Sequence, residues 1–210
     1  MTTLVGYASA FGNVDSYGDV VIRGAFADDV KAINAGRKTV PVLFAHGQKD
    51  LDAYVGLVTH AAEDGHGLRV SMELDESPEA TKVAQLIKAG ALSRMSFGYS
   101  VRSRRPGQRA GKPTNELTAL DLHEVSVVLV PANAEARLVS IDGQRLPSAP
   151  SGVDRAAAEQ ALVELAKGEA DRLQRQLLAL EKVAAITRSA DVERQADAIA
   201  ARIRRITFGR

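Results

Sequence analysis

The sequence contains no cysteine and no tryptophan, and aromatic residues make up only 4% of its 210 positions. Without thiols the chain has no disulfide, no thiolate zinc site and no cysteine nucleophile. The scarcity of aromatic rings disfavours a stacking surface for single-stranded nucleic acid. Charges nearly cancel, with 27 Lys and Arg against 26 Asp and Glu. We therefore expect no nucleic-acid partner.

Long hydrophobic runs are also missing. No apolar run approaches the roughly 20 residues that a membrane span needs. The first residues, "MTTLVGYASAFGNVDSYGD", contain neither a basic start nor an apolar stretch of signal-peptide length. The sequence therefore predicts a protein that is neither secreted nor inserted into a membrane.

The composition changes sharply near residue 146. Residues 1–145 are rich in β-branched residues, glycines and turn pairs, which predicts a globular domain. Residues 146–153 are rich in Pro, Ser and Gly and read as a linker. Residues 154–210 are rich in Ala, Leu, Glu and Arg and are predicted to form a helical tail.

The first domain is predicted to be α+β and rich in strands. We expect six or seven strands, mainly antiparallel, with flanking helices. Ser77 as N-cap, Pro78 at the first helical position and Gly90 after the last turn predict one helix clearly. The predicted strands are 4–11, 39–45, 53–62, 68–74, 93–102 and 116–131, the other helix is 24–34, and the predicted loops are 12–19 and a mobile, basic 104–115.

Apolar residues in the tail recur at alternating spacings of four and three, which is typical of a coiled coil. Each segment is amphipathic, so its apolar face needs a partner: its own hairpin, a second subunit or another protein. The two seams are Leu173, Leu177, Leu180 and Ala184, and Val192, Ala196, Ile199, Ile203 and Ile206.

Polar residues interrupt apolar strands at three places: His46, Ser96 and the pair His123–Glu124. Serine hydrolysis needs a hydroxyl that attacks, an imidazole that takes its proton and a third group that orients the imidazole. The chain supplies one of each on three predicted strands, although by pattern alone each also fits an ordinary structural role. Ser100 is an even number of positions from Ser96 and should share its strand face.

The sequence predicts no metal site and no cofactor. A zinc site built from His46, His60 and His66 lacks a helical His-x-x-x-His pair. The oxygen-rich stretch 13–19 lacks the closing glutamate of an EF-hand loop.

Four sequence blocks together resemble a known family. They are "GYASAFGNVDSYGDVVIRGAF" (6–26), "LFAHG" (43–47), "GALSRMSFGYSV" (90–101) and "LHEVSVVLVPANAEA" (122–136). In this order they resemble the prohead proteases of tailed bacteriophages, capsid maturation serine proteases that are similar to herpesvirus assemblins. The resemblance covers about residues 4–140 and leaves the tail outside.

The resemblance implies a role for each candidate residue. His46 falls in the "F-x-H" block as general base, and Ser96 falls in the "S-x-G-F/Y" block as nucleophile. Glu124 opens the "E-V-S" block as third member of the triad, and His123 is the alternative because herpesvirus relatives use a histidine there. Backbone N–H groups at Ala132 and Asn133 are the implied oxyanion donors.

The implied function is cleavage of the major capsid protein and of scaffold. From the composition of the linker we also expect the chain to cut itself between about 146 and 155. Cleavage would take place inside the immature capsid in the host cytoplasm, and the relatives imply a homodimer. The alternative is a non-catalytic capsid assembly or scaffolding protein that keeps the protease fold and works through its helical tail. A plain esterase is disfavoured because the sequence has no G-x-S-x-G elbow.

Overall fold

The computed structural model describes residues 1–147 and seven single positions beyond them: 174, 177, 178, 195, 197, 199 and 200. The chain divides into two units, Met1–Val153 and Asp154–Arg210. The predicted linker and both tail seams lie almost wholly outside the described residues and stay predictions. Among the described residues, no helix has the length and apolar character that crossing a bilayer requires.

Residues 1–147 contain nine strands and two α-helices. The strands are β1 (Thr2–Ala10), β2 (Asp19–Val21), β3 (Pro41–Phe44), β4 (Tyr54–Glu63), β5 (Gly67–Leu74), β6 (Arg94–Arg109), β7 (Lys112–Val128), β8 (Arg137–Ile141) and β9 (Gln144–Arg145). The helices are α1 (Ala27–Asn34) and α2 (Pro78–Lys88), and a short 3-10 turn, Leu51–Ala53, precedes β4.

Seven of these strands close into a barrel. The hydrogen-bonded order is β1-β5-β4-β3-β7-β6-β8, and β8 pairs back onto β1. The short β2 and β9 pair outside this ring, with β7 and β8 respectively. Only β2 and β3 run parallel to their neighbour β7, and the other described pairings are antiparallel, as predicted. Each of the seven ring strands pairs with a neighbour on both sides, but β6 meets β8 at Arg94 alone, so most of that edge of β6 has no strand partner within the described residues.

One continuous apolar core fills the described domain. Strand residues alternate between this core and the outside, so Val70, Met72 and Leu74 of β5 are almost fully buried. The helix α2 adds Ala80, Val83, Ala84 and Ile87, whose 3–4 spacing forms one buried face. Its predicted start is confirmed, since the Ser77 hydroxyl accepts the Ala80 N–H at 3.1 Å.

The prediction of a mobile loop at 104–115 is wrong. The segment is the far end of a β6–β7 ribbon that turns at Ala110 and Gly111, both with positive φ (48° and 77°), as a type I′ hairpin requires. Arg105 and Arg109 both bond Glu116 across the ribbon, at 2.7 and 2.8 Å. Its Gly/Pro/Arg composition is typical of a loop, but these cross-strand contacts support a strand pair.

Three strands are additional to those predicted. The strand β2 has only three residues and lies at the end of the predicted loop 12–19. The short β8 and β9 follow the last predicted strand, and β8 is the strand that closes the barrel. All three are at most five residues long, too short for a periodic pattern to be evident in the sequence.

The buried carboxylate of Asp29, in α1, bonds β7 between the segments of β7 that pair with β2 and with β3. Asp29 is only 2% exposed, accepts the Leu122 N–H at 2.8 Å and pairs with Lys38 at 2.5 Å. Lys38 also bonds Asp121 at 2.6 Å. These contacts hold β7 where neither β2 nor β3 pairs with it, immediately before Glu124.

Candidate active site

Three adjacent strands carry the candidate residues. The strand β7 lies between β3 and β6, so Glu124 on β7 has His46, two residues past β3, on one side and Ser96 of β6 on the other. In the β6–β7 register, Ser96 is directly opposite Ser126. Directly opposed residues of an antiparallel pair project from the same face. The barrel therefore brings three distant sequence positions to one place.

His46 lies in a tight turn that ends the apolar strand β3. Ala45 and His46 both have positive φ, 53° and 58°, and the Gly47 N–H closes the turn on the Phe44 carbonyl at 3.2 Å. For residues other than glycine, this conformation costs about 1–2 kcal/mol each. The Ala45 N–H bonds the Val127 carbonyl at 3.0 Å, which ties the strained turn to β7.

The imidazole of His46 bonds the carboxylate of Glu124. The distance from Nδ1 to Oε1 is 2.6 Å, and the His46 side chain is 44% exposed. With Nδ1–H donated to the carboxylate, Nε2 is left to accept a proton. The hydrogen bond that His46 donates to Glu124 raises the pKa of His46, burial opposes this, and the carboxylate charge raises it further. This arrangement gives a base whose orientation is held by an acid.

Glu124 is buried, with 1% of its side chain exposed. Within the described residues its ion pair is with His46, and no lysine or arginine pairs with it. Its second oxygen, Oε2, accepts the hydroxyl of Ser126 at 2.6 Å. A buried carboxylate needs such donors because hydration no longer stabilises its charge.

Ser96 has a free hydroxyl. Its side chain makes no hydrogen bond to any described residue, and the residue is 6% exposed. The opposite residue Ser126 is bonded to both Glu124 and the backbone of His46. The β6–β7 register places Ser96 next to Ser126, which bonds Glu124 and His46, and the Ser96 hydroxyl itself makes no hydrogen bond to His46 or to any other described residue.

Comparison with known proteins identifies the family. Residues 1–146 match the family described as caudovirus prohead serine protease. The chain belongs to this family. It is also 34% identical over 144 residues to the prohead protease of Enterobacteria phage HK97, a match that spans 66% of this chain and 60% of that protein. The family prediction made from the four sequence blocks is therefore confirmed.

Solved structures give weaker likenesses. A Kaposi's sarcoma herpesvirus protease, solved with a hexapeptide phosphonate inhibitor, has 12% identity and a TM-score of 0.42, covering 68% of this chain and 65% of that one. The bacteriophage T4 capsid assembly protease has 14% identity and a TM-score of 0.42, covering 60% and 80%. The family assignment rests on the sequence matches.

The glycine of the "S-x-G" block has a steric role in this prohead protease family member. Gly98 is opposite Glu124 in the β6–β7 register. A Cβ at Gly98 would lie 2.7 Å from Glu124 Oε1 and 3.0 Å from Gln48 Nε2. Any larger residue would therefore displace the carboxylate from His46 or push the strands apart.

His123 does not contact His46 but bonds Ser100, with 2.6 Å between Nε2 and Oγ. Both residues are exposed. The register shifts between Gly98 and Tyr99, which pair with Glu124 and Leu122, so His123 is the extra residue of a bulge. The bulge separates the two candidates for third triad member, and Glu124 is the one beside His46.

Ala132 and Asn133 lie in the turn after β7 and hold neighbouring loops. The Ala132 carbonyl accepts the Ser16 N–H at 3.0 Å, and the side chains of Asn133 and Asn13 exchange two hydrogen bonds, at 2.9 and 3.1 Å. Asn133 also donates to the Ala10 carbonyl at 3.1 Å. The backbone N–H groups of Ala132 and Asn133 donate to no acceptor within the described residues.

The remaining histidines are not near these groups in the contacts described. His66 packs edge-on against the ring of Tyr7, with centroids 4.4 Å apart. In the part of the chain that the structure describes, no cluster of three His, Asp or Glu side chains could hold a metal ion.

Sequence reasoning missed Ser126 and Gly98. Ser126 is two positions after Glu124, so strand alternation alone places both on one face. It is also a polar residue within the apolar run 125–130. The contact of Gly98 with Glu124 depends on the register of two strands, which the sequence does not reveal.

Proposed function

We propose that this chain is a serine endopeptidase of prohead maturation in which Ser96, His46 and Glu124 form the catalytic triad. The observation that carries the proposal is the 2.6 Å bond between His46 and the buried Glu124, next to a serine whose hydroxyl is free. These are the three functions that serine hydrolysis needs. Membership of the prohead serine protease family supports the same reaction.

In the proposed mechanism, Ser96 Oγ attacks the scissile carbonyl carbon while His46 Nε2 takes the hydroxyl proton. The C–N bond then breaks, His46 gives this proton to the leaving amine, and an acyl-enzyme remains on Ser96. A water molecule attacks the ester, His46 takes its proton and returns it to Ser96 Oγ as the acid leaves. Glu124 stabilises the imidazolium at each stage.

The oxyanion would be stabilised by the backbone N–H groups of Ala132 and Asn133. Their lack of acceptors among the described residues supports this assignment, because oxyanion donors must be free to meet the developing charge. The side-chain bonds of Asn133 to Asn13 and Ala10 would keep the turn rigid.

An extended peptide would bind along β6. This strand pairs with β8 at Arg94 alone, so its edge beyond Ser96 has no strand partner within the described residues. A substrate segment can add to such an edge through main-chain hydrogen bonds. It would place its scissile carbonyl beside the nucleophile, at the point where the open edge begins.

The proposed substrates are the major capsid protein and scaffold, and the proposed place is the interior of the prohead in the host cytoplasm. The family description and the HK97 relative support these partners. We further propose a homodimer, and autocleavage between about 146 and 155, since exposed Pro/Ser/Gly segments are readily cut.

The decisive experiment expresses the chain together with its neighbouring major capsid protein. Wild type, Ser96→Ala and the matched control Ser100→Ala would be compared by gel and intact mass. We expect capsid fragments and a shortened protease with wild type and Ser100→Ala, and intact chains with Ser96→Ala. Uncut chains in all three, with capsid protein still bound, would favour the assembly or scaffolding function instead.

A further inference from the structure

We propose that Ser126 is a positioning residue of the triad, which fixes both the backbone and the ring of His46 through one hydroxyl. This inference rests on the proposed function. Ser126 does not contact the reacting atoms in the proposed mechanism. It acts through His46 and Glu124.

The direction of its hydrogen bonds is determined by its partners. The His46 backbone N–H can only donate, so Ser126 Oγ accepts it, at 3.2 Å. The single hydroxyl proton is then available for Glu124 Oε2, at 2.6 Å. Glu124 Oε1 accepts from His46 Nδ1, at 2.6 Å. The four groups form a closed ring that begins and ends on His46.

Because these groups are buried, losing one hydrogen bond of the ring is costly. Ser126 is 0% exposed and Glu124 is 1% exposed, so water does not replace a hydrogen bond that is lost there. Donation from Ser126 stabilises the ionised carboxylate and fixes its rotation, which keeps Oε1 directed at the imidazole. The bond to the His46 N–H also anchors the strained turn at Ala45 and His46.

Ser126 is not itself a second nucleophile. Its proton is committed to Glu124, and the residue has no exposed surface from which a substrate could be reached. The opposite residue Ser96 differs on both counts, since its hydroxyl is unbonded within the described residues and it retains 6% exposure. The directly opposed pair thus combines one free serine with one positioning serine.

The test compares Ser126→Ala and Ser126→Cys with the control Ser9→Ala. Ser9 is also 0% exposed, but its hydroxyl bonds the adjacent Ala10 carbonyl in β1, away from this ring. We expect kcat for capsid cleavage to fall about 10- to 100-fold in Ser126→Ala with little change in KM, since the base is misplaced. Ser9→Ala should keep its kcat.

A second readout does not depend on activity. Histidine NMR titration of Ser126→Ala should show the pKa of His46 lower than in wild type, because the carboxylate that raises it is free to turn away from the imidazole. The His46 signal is identified by its loss in His46→Gln. Ser9→Ala should leave this pKa unchanged.

The two readouts separate the inference from the proposed function. If wild type cleaves no capsid protein, the proposed function fails, while the NMR titration still decides whether Ser126 positions His46. Wild-type kcat and an unchanged His46 pKa in folded Ser126→Ala would overturn the inference. If Ser126→Ala does not fold, Ser126→Cys decides: full kcat overturns the inference, and reduced kcat with unchanged KM supports it.

Discussion

His46 and His123 each bond a side-chain oxygen at 2.6 Å, yet their surroundings differ completely. His46 bonds a carboxylate that is 1% exposed, beside a serine with a free hydroxyl. His123 bonds an exposed serine directly. Ser100 and His123 are therefore already hydrogen-bonded to each other, but within the described residues no buried carboxylate bonds the other side of the His123 ring. A short contact alone does not make a catalytic pair, because the base must also be oriented.

The acid near His123 has other partners. Asp121, two residues before it, bonds Lys38 at 2.6 Å and lies 3.5 Å from Arg102. Lys38 lowers the pKa of Asp121 through this bond. Asp121 pairs with these cations and makes no hydrogen bond to His123, whereas Glu124 accepts a hydrogen bond from the His46 ring.

The largest expected effect comes from exchanging each histidine in turn. His46→Gln should reduce kcat/KM for capsid cleavage by about 10⁵-fold, because no other group can take the Ser96 proton. His123→Gln should change it by less than about threefold, as for most exposed substitutions. Cleavage rates of the purified variants are measured under identical conditions. A comparable loss of kcat/KM in both variants would mean that His123 also takes part in the reaction, and the two histidines would no longer differ in role.

The next largest effect concerns the acid. Glu124→Gln should lower kcat by about 10³- to 10⁴-fold, as loss of the orienting acid does in serine proteases. Because Glu124 raises the pKa of His46, the remaining activity should reach its plateau at a lower pH than in wild type. A pH–rate profile measures both. An acid limb at the same pH in both proteins would show that another group titrates.

The hydrogen bond between His46 and Glu124 also makes the free energy of unfolding depend on pH. The folded-state pKa of His46 lies above its ordinary value of 6.5, so the folded protein binds this proton more tightly than the unfolded chain. The resulting stabilisation is complete below pH 6.5 and is lost as the pH rises through the folded-state value. The difference in free energy of unfolding in urea between wild type and Glu124→Gln should therefore shrink as the pH rises above 6.5. A difference that widened with pH would contradict the sign.

Two glycines of the same strand pair give a smaller, matched contrast. A Cβ at Gly98 would meet Glu124 Oε1 at 2.7 Å, and one at Gly107 would meet Glu116 Cγ at 2.6 Å. Gly98→Ala should destabilise the fold by about 1–3 kcal/mol and lower the cleavage rate at least about tenfold. Gly107→Ala displaces an acid of the ribbon only and should keep its rate. Thermal unfolding and capsid cleavage measure the two effects, and equal rate losses would argue against a local role for Gly98.

The residues that the sequence revealed and those it concealed differ in physical character. His46, Ser96 and Glu124 interrupt apolar runs, which marks them as candidates, although their roles were implied only by the family resemblance. Ser77 precedes Pro78 as helix caps do, and there the local pattern was sufficient. The spatial grouping of the three candidates followed from a resemblance, since no local pattern specifies that β7 lies between β3 and β6. Physical reasoning from one chain cannot supply this long-range order.

The errors have the same cause. Residues 104–115 have the composition of a loop, but cross-strand ion pairs such as Arg105–Glu116 accompany a ribbon there. Strand alternation places Ser126 on the face of Glu124, but the sequence does not reveal that its hydroxyl also accepts the backbone N–H of His46, 80 positions away. Contacts between residues distant in sequence decide both cases, and local propensity is overridden.

The smallest expected effect compares two strained turns. Ala45 beside His46 and Ala110 at the ribbon tip have nearly the same backbone, with φ of 53° and 48°. Glycine at either position removes strain of about 1–2 kcal/mol but adds about 0.4–1 kcal/mol of unfolded-chain entropy, so both variants should be slightly stabilised.

Only Ala45→Gly should alter catalysis, by about two- to fivefold, because a glycine loosens the turn that holds the imidazole in place. Urea midpoints and capsid cleavage rates of the two variants, each against wild type, measure the contrast. Equal stability gains with a rate loss confined to Ala45→Gly would mean that the strain at His46 serves its position. Unchanged rates in both would mean that the bonds that His46 donates to Glu124 and Ser126 hold it without help from the rigidity of its turn.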